Sequence, residues 1–137
     1  MKSIPLLLSL LMPLIAGAHE LTLQINLPSN QAAPTQTVYI AIFDQAGYLR
    51  QPLQSHRLMP DALAQRTLVL TDLPGEAIAI SAFLDSNGNQ VLDKNLLGRP
   101  VEPVGFSNQA SMAFGPPAWA AVKVVPQGQR IEITLQP

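Results

Sequence analysis

The chain has 137 residues and a formal net charge of −1 at pH 7, so it lacks the positive charge that would recruit nucleic acid or an anionic membrane. It has no cysteine, which excludes disulfides, a thiol nucleophile and a lipid-modified N-terminal cysteine. Thirteen prolines and a charged fraction of 12% favour a β-rich domain with stiff loops.

Residues 1–18 have the pattern of a cleavable signal peptide. Lys2 precedes an apolar run of about 12 residues from Ile4 to Ile15, and Ala16-Gly17-Ala18 is the small-residue pattern that signal peptidase accepts. The run is shorter than the roughly 20 apolar residues that span a membrane. We therefore expect Sec-type export with cleavage near Ala18, a periplasmic or secreted location, no membrane insertion of the mature chain, and one β-sandwich domain over residues 19–137.

Two segments near the start of the mature chain have strand patterns. Glu20 to Leu27 alternates apolar and polar residues, which is typical of a half-buried strand. Thr37 to Phe43 carries β-branched and aromatic residues on both faces and fits a central strand. Tyr48 to Gln65 contains two prolines and is expected to be irregular, with at most a short helical turn near Asp61 to Gln65.

The second half contains further strand patterns. Thr67–Thr71 and Ala77–Leu84 are predicted to form a hairpin through the turn Asp72–Glu76, and Trp119–Val125 and Arg130–Gln136 a closing hairpin. About seven strands without long helical patterns predict an all-β fold, namely an antiparallel β-sandwich, immunoglobulin-like or transthyretin-like, with one long loop. A barrel stays open as an alternative, because one sequence does not say which strands pair.

The segment after the Ala77–Leu84 strand has oxygen-bearing side chains at alternate positions, in Asp85-Ser-Asn-Gly-Asn-Gln-Val-Leu-Asp93. Calcium loops wrap a hard cation with alternate oxygens of this kind. We predict a weak Ca²⁺ site, with a dissociation constant on the order of 10⁻⁴ to 10⁻³ M, because only two carboxylates are present. The expected ligands are Asp85, Asn87, Asn89, the Val91 carbonyl, Asp93 and Asn95.

The loop departs from the EF-hand pattern at two positions. Gln90 stands where that loop has glycine for its sharp turn, and Leu96 stands where it has a bidentate glutamate. The alternative is a turn without an ion, in which Asp and Asn side chains accept backbone hydrogen bonds and Asn87-Gly88 supplies positive φ angles. The sequence leaves both interpretations open.

Three segments carry a resemblance to a known family: Ser81-Ala-Phe-Leu-Asp-Ser-Asn-Gly-Asn-Gln-Val-Leu-Asp-Lys-Asn-Leu-Leu-Gly98, Gly105-Phe-Ser-Asn108 and Phe114-Gly-Pro-Pro117. From about Thr67 to Leu135 the chain resembles an exported bacterial family catalogued as domain of unknown function 2141. The resemblance implies a transthyretin-like or Cna-B-like β-sandwich and export. It implies no assigned activity and identifies no catalytic residue.

The last two of these segments lie in a long loop, Gly98 to Pro117, that we predict to be presented to an unknown envelope protein or glycan. Aromatic faces suit a peptide or a sugar. The alternative is that the aromatic residues fold under the loop and anchor it to the sandwich. The candidate partner-binding residues are Gly105, Phe106, Ser107, Asn108, Phe114 and Trp119.

A copper site is the alternative to calcium. Cleavage after Ala18 would make His19 the first residue, and its α-amine and imidazole, together with His56, could bind Cu²⁺, which prefers nitrogen in a tetragonal arrangement. Such a protein would be a periplasmic copper carrier or an oxidative enzyme. The opposing interpretation is that both histidines are ordinary surface residues.

An ordinary enzyme is not expected. The chain has no Gly-x-Ser-x-Gly elbow, and His56 alone could serve as an internal base. Asp85 and Asp93 lie in one turn, whereas a glycosidase pair faces a cleft from separate elements. The sequence therefore predicts a non-catalytic binding or structural module.

Overall fold

Seven strands, one 3₁₀ turn and one short helix form the regular structure of residues 19–28, 36–60 and 66–137, the part of the chain that the computed structural model describes. This confirms the predicted all-β class. Within that part no helix is long and apolar enough to cross a membrane. The elements are β1 (His19–Asn26), β2 (Thr37–Phe43), β3 (Gln54–Leu58), β4 (Thr67–Leu73), β5 (Ala79–Asp85), β6 (Val104–Phe106), the 3₁₀ turn Ser107–Gln109, α1 (Trp119–Val122) and β7 (Arg130–Thr134).

The strands form two sheets of a sandwich, with the orders β4-β1-β7 and β3-β2-β5-β6. Neighbouring strands are antiparallel except β1 and β7, which run parallel with Thr22 opposite Arg130. In an immunoglobulin domain the second and fifth strands share a sheet with the first and fourth, whereas here they pair with the third and sixth. The strand order therefore differs from that of an immunoglobulin domain, which corrects that part of the prediction.

The core lies between the sheets and follows from the alternation in the strands. Leu21, Leu23 and Ile25 of β1 are at most 1% exposed, and the polar residues between them lie on the other face. Burial of a side chain of this size contributes roughly 1.5–3 kcal/mol. The buried cluster comprises Leu21, Leu23, Ile25, Val38, Ile40, Ile42, Leu58, Leu70, Leu73, Ile78, Ile80, Ala82, Leu84, Ile133 and Leu135.

Both predicted hairpins are wrong. The turn Asp72–Glu76 connects β4 to β5, but β4 pairs with β1 and β5 with β2, so the turn crosses from one sheet to the other. Residues 119–125 form α1 and an isolated bridge between Val124 and Ile78, and β7 pairs with β1 instead. A turn motif specifies a chain reversal, whereas the partner of each strand is decided by which apolar faces can be buried together.

Two strands lie in segments that the sequence predicts to be irregular. β3 is a mostly polar edge strand that pairs with β2, and β6 has three residues within the predicted long loop and pairs with β5. Short edge strands lack the alternation that identifies a strand from its sequence. The predicted signal peptide and the predicted helical turn near residues 61–65 lie outside the described residues.

A second apolar cluster covers the outer face of the four-stranded sheet. It forms because residues 107–124, including α1, fold back over that face. Several residues of the predicted long loop belong to this cluster, so much of that loop is anchored to the sheet. Its buried members are Ala79, Val104, Phe106 and Val122, and Tyr48, Phe83, Leu92, Ala110, Met112 and Trp119 pack against them.

Tyr48 packs against this cluster, and its burial predicts that the stability of the fold depends on pH in the alkaline range. Its hydroxyl donates to the Pro117 carbonyl at 2.8 Å, and its ring centroid lies 5.6 Å from that of Trp119. Burial raises the pKa of Tyr48 above its usual value of 10.0. Because the folded pKa is the higher one, the stability contributed by Tyr48 is complete below the unfolded value and is lost as pH rises through the folded value.

Tyr48→Phe should lower the free energy of unfolding by about 1 kcal/mol near neutral pH, because one hydrogen bond is lost. Above about pH 10 the difference from the wild type should narrow, since only the wild type loses the contribution of the buried phenol. Urea unfolding across this range measures both effects. Tyr39→Phe, at a ring stacked on Phe83, is the control. Its free energy of unfolding should still fall at alkaline pH, as in the wild type. A Tyr48→Phe curve parallel to the wild type would contradict the prediction.

Candidate functional site

Asp85, the last residue of β5, sets the path of the loop that follows. Its side chain is 3% exposed. Oδ1 accepts a hydrogen bond from the Gly88 N–H and Oδ2 accepts one from the Gln90 N–H, both at 2.9 Å. Hydrogen bonds to a charged group contribute roughly 1.5–3 kcal/mol each. The carboxylate therefore closes the turn.

The side chains of Asn87 and Asn89 converge on Asp93. Asn87 Nδ2 donates to Asp93 Oδ2 at 2.6 Å, and Asn89 Nδ2 donates to Oδ1 and Oδ2 at 3.0 and 2.9 Å. The amide oxygens accept backbone hydrogen bonds, Asn87 Oδ1 from Asn89 N–H at 3.2 Å and Asn89 Oδ1 from Val91 N–H at 3.1 Å. Asp85, Asn87, Asn89 and Asp93 thus belong to one hydrogen-bonded loop.

Asn95, the sixth predicted ligand, serves a separate turn. Its Oδ1 accepts from the Leu97 N–H at 2.9 Å and from the Arg99 N–H at 3.1 Å. The Asn95 backbone N–H donates to the Arg99 carbonyl at 2.8 Å. Asn95 therefore closes the tip at residues 95–99, while Val91 stays with the first turn through its bond to Asn89.

Glu102 is a second buried carboxylate of the same loop, and the sequence prediction missed it. Its side chain is 3% exposed, with Oε1 accepting from the Ser86 N–H at 2.8 Å and Oε2 from the Asp93 N–H at 3.1 Å. A signal was available, since Glu102 is the only charged residue within 100–122. We refer to residues 85–102 as the acidic loop.

The carboxylates of the acidic loop are held by amides. Within the described residues, the hydrogen bonds to Asp85, Asp93 and Glu102 come from backbone N–H groups and asparagine side chains. No group of three or more His, Asp or Glu side chains in that part of the chain could hold a metal ion. A cation in this loop would therefore depend on two carboxylates together with amide and carbonyl oxygens, a donor set that suits weakly bound Ca²⁺.

The backbone at Gln90 adopts the conformation that glycine provides in a calcium loop. Its φ is +65°, in the left-handed region, where a residue with a Cβ is strained by roughly 1–2 kcal/mol. EF-hand loops place an invariant glycine at this position for the sharp turn. At Gln90 the loop thus departs from the EF-hand pattern in its side chain only, because the backbone has the conformation of the EF-hand glycine.

Gln90→Gly should stabilise the protein. Relief of the strain, less the entropy that glycine adds to the unfolded chain, should raise the free energy of unfolding by about 0.5 to 1 kcal/mol in urea unfolding. Gln45 is also exposed in a turn, but its backbone is not left-handed. Gln45→Gly is therefore the control and should destabilise. If both variants lost stability equally, no strain would be stored at Gln90.

Gly105 and Phe106, two of the predicted partner-binding residues, are built into the fold. A Cβ at Gly105 would lie 2.6 Å from Ile133 Cγ2 and 2.7 Å from the Thr134 carbonyl oxygen. Any other residue at this position would therefore clash with β7. Phe106 is 4% exposed in the second apolar cluster. Both residues also line the open groove beside residues 110–116, where Gly105 contributes backbone and Phe106 a ring that is almost wholly buried.

Ser107 and Asn108 fasten the segment around α1 to the sheet. Ser107 is fully buried; its Oγ accepts from the Ile80 N–H at 3.1 Å and donates to the Val122 carbonyl at 2.5 Å. Asn108 is exposed, with φ +60°, and its Nδ2 donates to the carbonyls on either side of Val122 at 3.2 and 2.9 Å. Gly105–Asn108, one of the three segments that carry the family resemblance, therefore anchors the chain around α1 to the sheet.

An open groove of about 810 Å³ lies between the acidic loop and residues 110–116. Leu97 on one wall is 83% exposed and Phe114 on the other is 104% exposed. Phe114 is the one predicted aromatic that presents its whole ring to solvent, since Phe106 is buried and Trp119 packs on Tyr48. Exposed apolar side chains on both walls of one groove are typical of an interaction site.

His19 and His56 have separate neighbours on separate sheets. His19 begins β1, and a Cβ at Gly75 would lie 3.0 Å from its Nε2. His56 is on β3, with its Nε2 3.0 Å from Gln54 Oε1. These contacts do not test a copper site shared by the two histidines. The site stays a prediction, and metal analysis of protein beginning at His19 would test it.

One family matches the chain. It is described as "Uncharacterized protein conserved in bacteria (DUF2141)", and the match covers residues 29–134. The matched range begins nearer the N-terminus than the resemblance noted in the sequence, which begins near Thr67. No curated protein and no solved structure matches the chain. Because the match covers most of the chain, from β2 to β7 with the acidic loop, the chain belongs to this family of uncharacterised bacterial proteins.

Proposed function

We propose that this protein is an exported, non-catalytic β-sandwich that binds a partner in the cell envelope and whose acidic loop is stabilised by weakly bound Ca²⁺. One observation carries the proposal: the acidic loop, held by Asp85 and Glu102, is itself a wall of the groove and bears the exposed Leu97. A cation that stiffens this loop would also fix the shape of the groove.

Export is supported by the leader pattern of residues 1–18. Lys2, the apolar run and Ala16-Gly17-Ala18 are the three parts of a cleavable signal. Mass spectrometry of protein expressed in a bacterial host should find a chain that begins at His19 in the periplasmic fraction or the medium. Recovery of the chain with its leader intact, in the cytoplasm alone, would contradict export.

The absence of catalysis is supported by the groove lining. Its ionisable side chains are Arg99 and Glu102. Glu102 is 3% exposed and both of its oxygens hold loop backbone. A general base must reach a proton of the substrate, and these contacts argue against that role for Glu102.

Calcium suits the remaining acceptor capacity of the acidic loop. A carboxylate has about four lone-pair sites, and Asp85 accepts two hydrogen bonds. The amide oxygens of Asn87 and Asn89 each accept one backbone hydrogen bond and retain a second lone pair. Binding would release the asparagine Nδ2 groups from Asp93. This exchange fits a dissociation constant on the order of 10⁻⁴ to 10⁻³ M.

Thermal unfolding with calcium and with chelator tests the site. At a tenfold excess over the dissociation constant, binding should add about 1.4 kcal/mol to the free energy of unfolding. Asp93→Asn should abolish this calcium-dependent increment. Asp72→Asn is the matched control, because Asp72 is an exposed carboxylate with φ +56° at the far end of β4; it should keep the increment. Identical melting with calcium and with chelator would remove the ion from the proposal.

The groove favours an apolar segment of a partner protein. Leu97, which lines the groove, is aliphatic and 83% exposed, and with the exposed Phe114 opposite it suits an apolar protein side chain better than a sugar ring. An envelope protein captured by the wild type should be lost with the double variant Leu97→Ser and Phe114→Ser. It should be retained by Val69→Ser, a 53% exposed control on β4. Release of the captured protein by free glycan would favour a sugar ligand instead.

A further inference from the structure

Asn87 is followed by Gly88, the one Asn-Gly pair in the chain. Both residues are exposed, and a Cβ at Gly88 would have no heavy atom within 4 Å. We propose that Asn87 is a site of spontaneous deamidation, at which the acidic loop changes its own charge. The reacting groups are the side-chain amide of Asn87 and the backbone nitrogen of Gly88.

The chemistry needs water alone as co-reactant. The backbone nitrogen of Gly88 attacks Cγ of Asn87; the new N–Cγ bond forms as the Cγ–Nδ2 bond breaks, and the Gly88 amide proton leaves with the amino group as ammonia. The product is a five-membered succinimide. Water then opens either of its two carbonyl–nitrogen bonds, which yields aspartate or isoaspartate at position 87.

The residue that follows each asparagine decides where this occurs. The attacking nitrogen must approach a side chain closely, and a following residue without a Cβ leaves that approach open and the backbone adaptable. Asn89 is followed by Gln90 and Asn95 by Leu96, so their attacking nitrogens are crowded. These two asparagines are exposed in the same loop and serve as internal controls.

Hydrogen bonds of the closed loop restrain the reaction without preventing it. The Gly88 N–H is held by Asp85 Oδ1 at 2.9 Å, and Asn87 Nδ2 by Asp93 Oδ2 at 2.6 Å. Loops open locally at a small fraction of the free energy of global unfolding, and the reaction proceeds from these open states. The product at position 87 can no longer donate to Asp93. It also adds a negative charge beside that carboxylate, which favours the open loop further.

Incubation of the folded protein in mildly alkaline buffer with chelator tests the proposal without involving calcium. Trypsin releases residues 67–94, which contain Asn87 and Asn89, and fragment mass spectra locate each deamidated position. Deamidation at Asn87 should exceed that at Asn89 and Asn95 by more than an order of magnitude, and isoaspartate should be present among the products. Equal or slower conversion at Asn87 would overturn the proposal.

Gly88→Ala provides the second arm. The added Cβ should slow conversion at Asn87 by more than an order of magnitude. Gly98→Ala is the matched control, since Gly98 has φ +75° against +76° at Gly88, is equally open, and does not follow an asparagine. It should convert Asn87 at the wild-type rate. A wild-type rate in Gly88→Ala would equally overturn the proposal.

Discussion

Ser107→Ala should lower the free energy of unfolding by about 2 to 5 kcal/mol, because two buried backbone groups lose their partner and each is destabilised by roughly 1–3 kcal/mol. The hydroxyl accepts from the Ile80 N–H and donates to the Val122 carbonyl, and all three residues are fully buried. Urea unfolding measures the loss. A residue that served recognition alone would give a variant of normal stability.

The control for this change is Ser111→Ala. Ser111 is exposed, and its Oγ accepts one hydrogen bond from the Ala113 N–H at 3.0 Å. Water can replace that bond, so the control should lose less than about 1 kcal/mol. Equal losses in the two variants would mean that the buried hydroxyl does not fasten α1 to β5.

Glu102→Gln should destabilise the protein by about 2 to 4 kcal/mol, because an amide nitrogen would replace an oxygen that accepts from backbone. Either the Ser86 N–H or the Asp93 N–H would then face another donor. The acidic loop would lose its tie between start and end, and its backbone amides should exchange hydrogen faster. Urea unfolding with hydrogen exchange measures both effects.

Glu132→Gln is the control for Glu102. Glu132 is exposed and accepts one long hydrogen bond, at 3.3 Å from Asn26 Nδ2. Its loss should stay below about 0.5 kcal/mol. If Glu102→Gln were neutral or stabilising, the free-energy cost of burying an unpaired charge would exceed the contribution of its two hydrogen bonds. Glu102 would then not be the residue that holds the two ends of the acidic loop together.

The sequence predicts the strands of this fold better than it predicts their partners. β2 is found with its observed bounds and β1 to within one residue at each end, because alternation and β-branched side chains are local properties. The pairing of β4 with β1 depends on which apolar faces meet, and a turn such as Asp72–Glu76 carries no information about it. α1 resembles a strand in sequence because its residues are apolar throughout.

In the candidate site, too, contacts between neighbouring residues are predictable from the sequence and contacts between distant residues are not. The convergence of Asn87 and Asn89 on Asp93 spans four to six residues, so spacing alone indicates it. Glu102 acts on residues nine and sixteen positions away, which no local pattern encodes. Asn95 fits the ligand spacing yet caps its own turn, because an asparagine oxygen can satisfy nearby backbone first.

The parallel pairing of β1 with β7 has a consequence for how the protein folds. It joins residue 22 to residue 130, so the first sheet closes only after nearly the whole described chain has collapsed. Folds dominated by contacts of such high order fold in milliseconds to seconds, far more slowly than helical bundles. During that interval β1 exposes one unpaired edge, which makes the first sheet the place where aggregation would begin.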